Sequence, residues 1–172
     1  VCSMQAQNIH MALRPDDLLI DNFEGDTFGN WILEGNAFGN SPVSMERLSI
    51  RGDNRFEGNR MASSFVNGDA GTGVLKSPLF RIERRYVNFL IGGGVDYQRE
   101  YVALWIDGKE VKRSTGYNRR VMEYESWDVA EYMGKNARIV LVDQSKEGWG
   151  FINADCFYQS DTKLEKEIFA KR

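Results

Sequence analysis

The sequence predicts an all-β protein, a β-sandwich or jelly roll, built as one domain within a chain of 172 residues. Short apolar segments rich in Val, Ile, Tyr, Phe and Trp recur roughly every ten residues, a spacing typical of antiparallel strands. Seventeen glycines and only three prolines separate these segments. Strand spacing and turn residues together favour two packed sheets.

Six segments have the composition of strands, and two of them form the clearest local prediction. A hairpin is expected where Asp107 and Gly108 separate two strand-like runs, because this pair occupies the positive-φ positions of a type I′ turn at small steric cost. The six segments comprise residues 31–33, 61–65, 73–75, 101–106, 109–114 and 138–142.

A seventh apolar run, residues 86–91, stops abruptly in three consecutive glycines at positions 92–94. A glycine run at the end of a strand lets the backbone turn. It also leaves a gap where the atoms of a ligand can approach the main chain closely. This segment is therefore a candidate part of a binding site.

Helix signals are confined to two places. Residues 129–133 precede Gly134 and predict one helical turn that ends at the glycine. Thr162 and Glu165 have the spacing of a capping box, so residues 162–172 are expected to form a short helix or a linker toward a following domain. The sandwich itself is predicted to span residues 18–161.

Residues 1–17 are expected to be a disordered lead or the remnant of a bacterial export signal. Cys2 would be acylated if the start is instead the end of a lipoprotein signal, and the remaining alternative is an arbitrary end of the sequence. Export predicts a periplasmic, cell-surface or extracellular location. Cys156 lies in an apolar run and is expected to be a buried small hydrophobe.

Composition narrows the function classes. A net charge of −3 argues against nucleic-acid binding, which needs a basic surface. No apolar run is long enough to cross a bilayer. His10 is the only histidine, which disfavours Ser-His or Cys-His catalysis and histidine-rich zinc sites. Twenty-five acidic residues leave a two-carboxylate glycosidase open.

Five further short segments, together with the glycine run, resemble carbohydrate-binding module family 66. They are Phe23-Glu24-Gly25, Ala37-Phe38-Gly39, the glycine-rich stretch 68–73, Trp127-Asp128-Val129 and the stretch 148–153. The resemblance covers residues 21–161. Phe151 stands where that family often has a histidine, and residues 95–99 replace its usual loop.

That family is the β-sandwich module attached to family 32 glycoside hydrolases, the levanase, inulinase and invertase group, and it binds fructans. The Trp-Met-Asn-Asp-Pro-Asn-Gly, Arg-Asp-Pro and Glu-Cys catalytic motifs of those hydrolases do not occur here. The resemblance therefore implies a non-catalytic fructan-binding module of a secreted or surface glycosidase. The alternatives are an accessory domain that packs on a catalytic domain without binding sugar, a fragment of a glycosidase, and a complete small enzyme.

Sugar sites pair an aromatic face with carboxylates, amides and arginines, because the ring covers C–H groups and the polar groups replace water. Trp149, flanked by two glycines, is the best candidate for the aromatic face, with a core position as the alternative. Trp105 is predicted to be core, and Trp31 and Trp127 core or sandwich edge. The candidate ligand-binding residues are Asp69, Gly93, Arg113, Asp143, Trp149 and Asn153.

Jelly-roll sugar modules often hold a structural Ca²⁺ between the first and last strands through oxygen ligands. Glu24, Asp26 and Asp155 are the candidate ligands here because they lie near those strands in the sequence. The alternative is that backbone amides or an arginine satisfy these carboxylates. Calcium is the only cofactor that the sequence suggests.

Overall fold

The computed structural model describes residues 13–44 and 58–164, which form two antiparallel sheets packed face to face. The all-β sandwich prediction is confirmed. The first sheet has the strand order β10 (Arg119–Asp128), β7 (Tyr86–Gly93), β12 (Ile152–Ser160), β4 (Arg60–Ser63) and β3 (Val43–Ser44), with β1 (Leu18–Asp21) also paired to β12.

The second sheet has the order β2 (Ile32–Gly35), β5 (Gly73–Lys76), β11 (Asn136–Asp143), β8 (Glu100–Ile106) and β9 (Lys109–Ser114). The short strand β6 (Phe80–Arg81) also pairs with β11. Most neighbouring strands are distant in sequence, so loops from widely separated parts of the chain are brought to the same end of the sandwich.

Aromatic side chains fill the core between the sheets. The Phe89 ring stacks on Phe157 at 4.8 Å between centroids and meets Trp127 edge-on at 4.5 Å. The indole N–H of Trp31 donates to Asp21 at 2.7 Å, and that of Trp127 donates to Ser114 at 2.9 Å. Both tryptophans are buried, as predicted, and each polar N–H has the partner that burial requires.

The prediction that Trp105 lies in the core is wrong. Side chains alternate between the faces of a strand, and in β8 the inward positions are taken by Leu104 and Ile106. Trp105 therefore points to solvent and keeps 39% of its surface exposed. When nearly all residues of a strand are apolar, the sequence does not distinguish inward from outward positions. The position of Trp105 was therefore predicted wrongly.

The local turn predictions hold. Asp107 and Gly108 have φ values of 48° and 81°, the left-handed pair that a type I′ hairpin requires. Residues Ala130–Tyr132 form a single 3-10 turn, followed by Gly134 at φ 81°. Cys156 is buried, as expected.

Several terminal predictions fall on residues that the structure does not describe. The export or lipoprotein start, Cys2 and His10 precede residue 13, and most of the 162–172 helix follows residue 164. Thr162 to Leu164 show no helical turn, and Leu164 is buried. Within the two described ranges, no helix has the length and apolar character needed to cross a membrane.

Candidate functional site

Four loops meet at one end of the sandwich, and we call this region the loop end. It comprises residues 67–72, 93–99, 115–118 and 144–151. An added Cβ on Gly94 would collide with the carbonyl oxygen of Trp149, and one on Gly150 would lie 2.8 Å from the carbonyl oxygen of Asp69. Three of the loops therefore touch through backbone atoms where no side chain can be inserted.

The loop at 115–118 joins the same assembly through hydrogen bonds. The Asn118 amide donates to the Gly93 carbonyl at 2.9 Å, and the Val95 amide donates to the Asn118 side chain at 3.1 Å. Arg99 forms an ion pair with Glu147 at 3.2 Å, which ties the loop after β7 to the loop before β12. The four loops thus form a continuous rim.

Three aromatic rings are exposed on this rim. Tyr97 keeps 58% of its surface exposed, Tyr117 55% and Trp149 37%. Trp149 has a φ of 62° and lies nearly parallel to Phe151, with 5.7 Å between ring centroids. Among the large side chains that the described residues expose, Trp105 is the only other aromatic one. Exposed aromatic area is therefore concentrated at the loop end.

Two buried carboxyl groups lie beneath the rim. Glu100 and Asp143 are directly opposite each other on β8 and β11, and both are almost fully buried. Burial, together with the charge of Asp143, raises the pKa of Glu100 from 4.5 to about 7. Burial and the charge of Asp69 raise the pKa of Asp143 from 3.8 to about 7. The loop end thus holds acidic groups in a region of low polarity, where burial favours the protonated forms of Glu100 and Asp143.

The same carboxyl groups anchor two loops of the rim. Asp143 accepts a hydrogen bond from the Ser145 amide at 3.1 Å, and Glu100 accepts one from the Asp96 amide at 3.3 Å. One oxygen of each group, and one of Asp69, is buried without a hydrogen-bond partner in the described structure. Unsatisfied buried acceptors are costly to the fold, so these acidic groups lower the stability of the folded state.

Arg113 lies beside the rim on β9. Its guanidinium group stacks on the Tyr101 ring at 3.6 Å, bonds Glu110 through two N–H groups, and donates to the Tyr97 carbonyl at 2.8 Å. It is therefore engaged within the protein and positions the Tyr97 loop. Two of its five N–H donors are not used by these contacts.

The structure separates the six predicted ligand-binding residues. Asp69 and Trp149 meet on the rim, Arg113 adjoins it, and Asp143 lies beneath it. Gly93 is buried and packed against the Phe151 carbonyl.

Asn153 lies on the far face of the first sheet. It alternates with the core residues Ile152 and Ala154 and pairs with Gly92, whose Cβ position faces Met122.

Tyr97, Tyr117 and Glu100 were missed by the sequence reasoning. Residues two apart in a strand face the same side, and Glu100 is followed at this spacing by the apolar residues Val102 and Leu104. The strand pattern could therefore have predicted that the Glu100 carboxylate faces inward. Tyr97 and Tyr117 carried no such signal, because their positions depend on which loops converge. Only the strand order brings them to one end.

The calcium candidates are occupied by other partners. Glu24 accepts from the backbone amides of Asn59 and Arg60 at 2.9 and 3.0 Å, and Asp26 forms an ion pair with Arg60 at 2.9 Å. Asp155 accepts from the Cys156 amide at 2.8 Å. Across residues 13–44 and 58–164, no three His, Cys, Asp or Glu side chains are grouped to hold a metal ion. Calcium at these residues stays a prediction.

Comparison with known proteins gives one curated relative and a set of solved structures with a similar fold. No protein-family model matches the chain. The chain is 36% identical over 170 residues to "Putative glycosyl hydrolase ecdE" of Aspergillus rugulosus. That alignment covers 95% of this chain but only 24% of the relative, so the chain spans about a quarter of the relative's length.

Solved structures with the same fold have diverse names. The K1 adhesin domain of Lys-gingipain from Porphyromonas gingivalis W83 has a TM-score of 0.54 at 14% identity, covering 85% of this chain and 98% of its own. A cyclase from Fischerella sp. TAU has a TM-score of 0.54 at 13% identity, covering 86% and 100%. TmCBM61, solved with β-1,4-galactotriose, has a TM-score of 0.51 at 18% identity, covering 80% and 92%. These likenesses show the sandwich fold alone.

Proposed function

We propose that this chain is a non-catalytic carbohydrate-binding module of a glycoside hydrolase and that it binds sugar at the loop end. The observation that carries the proposal is the exposure of Tyr97, Tyr117 and Trp149 on a rim whose loops also carry Asp69. Aromatic faces cover the C–H patches of a sugar, and carboxylates accept hydrogen bonds from its hydroxyl groups.

The relative and the neighbours agree with this assignment. The relative carries a glycosyl hydrolase name and is about four times longer, which leaves room for a separate catalytic domain. One fold neighbour is a carbohydrate-binding module solved with a bound galactan oligosaccharide. The resemblance to the fructan-binding family supports levan-type or inulin-type chains as the proposed ligand, and we propose an exported location on the same basis.

The geometry disfavours catalysis by the chain itself. Glycosidases need two carboxyl groups that flank the scissile bond of a bound sugar. Glu100 and Asp143 are the pair with raised pKa values, but they are buried at 3% and 0% exposure and adjoin each other across two strands. No glycosidic bond fits between them. Their role is to anchor the rim loops.

Replacing Trp149 by Ala is expected to weaken sugar binding about tenfold, a loss of about 1.4 kcal/mol. The reason is the loss of the exposed aromatic face. The melting temperature should stay within a few degrees, since the side chain is partly exposed and lies on a loop. Isothermal titration against levan, inulin and sucrose measures both the wild-type affinity, expected between roughly micromolar and millimolar, and the loss.

Met133→Ala is the matched control, because Met133 is exposed to a similar degree and follows the 3-10 turn away from the rim. Its affinity should equal that of the wild type. Global unfolding of Trp149→Ala would mean that this residue is structural. Absence of binding to every sugar tested would favour the accessory domain that only packs on a catalytic partner. Release of fructose from levan above the buffer rate would refute the non-catalytic assignment.

A further inference from the structure

A cavity lies on the outer face of the second sheet, away from the core. It has a volume of about 530 Å³. Its walls include the exposed residues Trp105 and Leu79 and the polar residues Lys76, Asp107, Asn136 and Arg138. The volume lies within the range of small-molecule sites, which are concave and combine apolar walls with a few polar groups. The face is therefore shaped for a compact ligand.

The cavity places an exposed indole ring beside a guanidinium group. Trp105 on β8 and Arg138 on β11 are direct cross-strand partners. The Nε atom of Arg138 is buried without a hydrogen-bond partner in the described structure, and its guanidinium group forms no ion pair there. Lys76 is paired with Glu34 at 3.0 Å. Arg138 and Asp107 thus place a guanidinium group and a carboxylate in the same cavity wall as the indole ring.

This combination fits a sugar better than a protein partner. A sugar ring presents a C–H patch to an aromatic face and hydroxyl groups to donors and acceptors at its edge. Protein interfaces of ordinary stability need roughly 800 Å² per partner and bury several aromatic anchors. Trp105 is the single aromatic anchor of this cavity.

The face of the second sheet that holds the cavity also leads toward the rim. Trp105 and Tyr101 lie on the same face of β8, about 13 Å apart at the usual rise of a strand. Tyr101 is covered by Arg113, whose guanidinium group reaches the Tyr97 carbonyl at the loop end. A polysaccharide held at the rim can therefore extend along this face.

We infer that the Trp105–Arg138 cavity is a second glycan-binding site, which contacts a polysaccharide chain independently of the loop end. Two sites on one domain raise the affinity for a polymer above that for a short oligosaccharide, because the second contact becomes intramolecular. Trp105 covers the sugar ring, and Arg138 and Asp107 bond its hydroxyl groups. This assignment goes beyond the proposed rim site; the gain in polymer affinity rests on that site, whereas sugar binding in the cavity does not.

The first test uses native gels that contain levan, inulin, β-1,4-galactan or polygalacturonate. Trp105→Ala and Arg138→Gln should reduce the retardation caused by at least one polymer about tenfold while leaving binding of its trisaccharide unchanged. Met133→Ala, which removes exposed apolar surface elsewhere, should migrate as the wild type does. Trp105→Phe keeps an aromatic face and should retain most of the retardation.

The second test separates this site from the rim. The indole N–H signals of Trp105 and Trp149 can be assigned in ¹⁵N spectra with the Phe variants and followed in the wild type as the same polysaccharide fragments are added. Movement of both signals supports both sites, and movement of Trp105 alone supports the second site only. Movement of Trp149 alone, or of neither, refutes the second site. A dimer that Trp105→Ala converts to monomer, without change in polymer binding, would instead identify a self-association surface.

Discussion

Phe89→Ala is expected to lower the free energy of unfolding by about 3–5 kcal/mol, the largest effect of any substitution considered for this chain. Phe89 has no exposed surface and lies in β7, in the middle of the first sheet. It is in contact with both Phe157 and Trp127, so its removal leaves a cavity between rings that cannot collapse freely. Urea unfolding followed by tryptophan fluorescence measures the loss.

The matched control is Leu79→Ala, because Leu79 is apolar but 63% exposed. It should change stability by less than about 0.5 kcal/mol. Phe89→Leu should fall between the two variants, since it preserves part of the buried volume. A loss below about 1 kcal/mol for Phe89→Ala would show that the two sheets are not held together by this aromatic cluster.

The sandwich fold could be predicted because turn preferences and strand composition are local properties of the sequence. Asp107 and Gly108 specify their turn through backbone preferences alone, and Gly134 ends its 3-10 turn for the same reason. The strand composition identified five of the six strands of the second sheet, but only β4 and β7 of the first sheet. Trp105 was wrongly assigned to the core, because a sequence reveals the outward positions of a strand only where they are polar. Strand β8 has few polar residues.

The candidate site was only partly predictable. Trp149 and Asp69 were identified because they lie beside glycines, and the close packing of Gly150 against the Asp69 carbonyl gives one of those glycines a physical reason. Asn153 was misplaced with respect to the site because adjacent residues of a strand face opposite sides. Tyr97 and Tyr117 join the rim through the order of strands in the sheets, which a single sequence does not encode locally.

The buried carboxyl groups beneath the rim give the chain an unusual dependence on pH. In the folded state Glu100 and Asp143 hold their protons up to about pH 7, whereas in the unfolded chain they release them near their ordinary values of 4.5 and 3.8. Between these limits the folded state binds more protons than the unfolded state. Stability is therefore greatest below about pH 4, as far as this pair is concerned, and falls as the pH rises through 7.

Glu100→Gln is accordingly expected to stabilise the protein at pH 8 by on the order of 2 kcal/mol, because each unit of pKa shift corresponds to about 1.4 kcal/mol. At pH 4 the protonated glutamate and the glutamine are nearly equivalent, so the two proteins should be equally stable. Urea unfolding at both pH values measures the difference. Asp143→Asn should behave in the same way, since its pKa is raised by burial as well.

Glu131→Gln is the control, because Glu131 is exposed on the 3-10 turn and should show no gain at either pH. At pH 8, where the native carboxyl groups are ionised, the stabilised variants should also bind sugar less tightly than the wild type. Glu100 and Asp143 hold the Asp96 and Ser145 amides, and a neutral side chain holds these rim loops less firmly. A gain in stability with unchanged sugar affinity would show that the pair does not position the rim. No gain at pH 8 would show that the two charges are already compensated in the folded protein, which would remove the physical reason for assigning them a functional role.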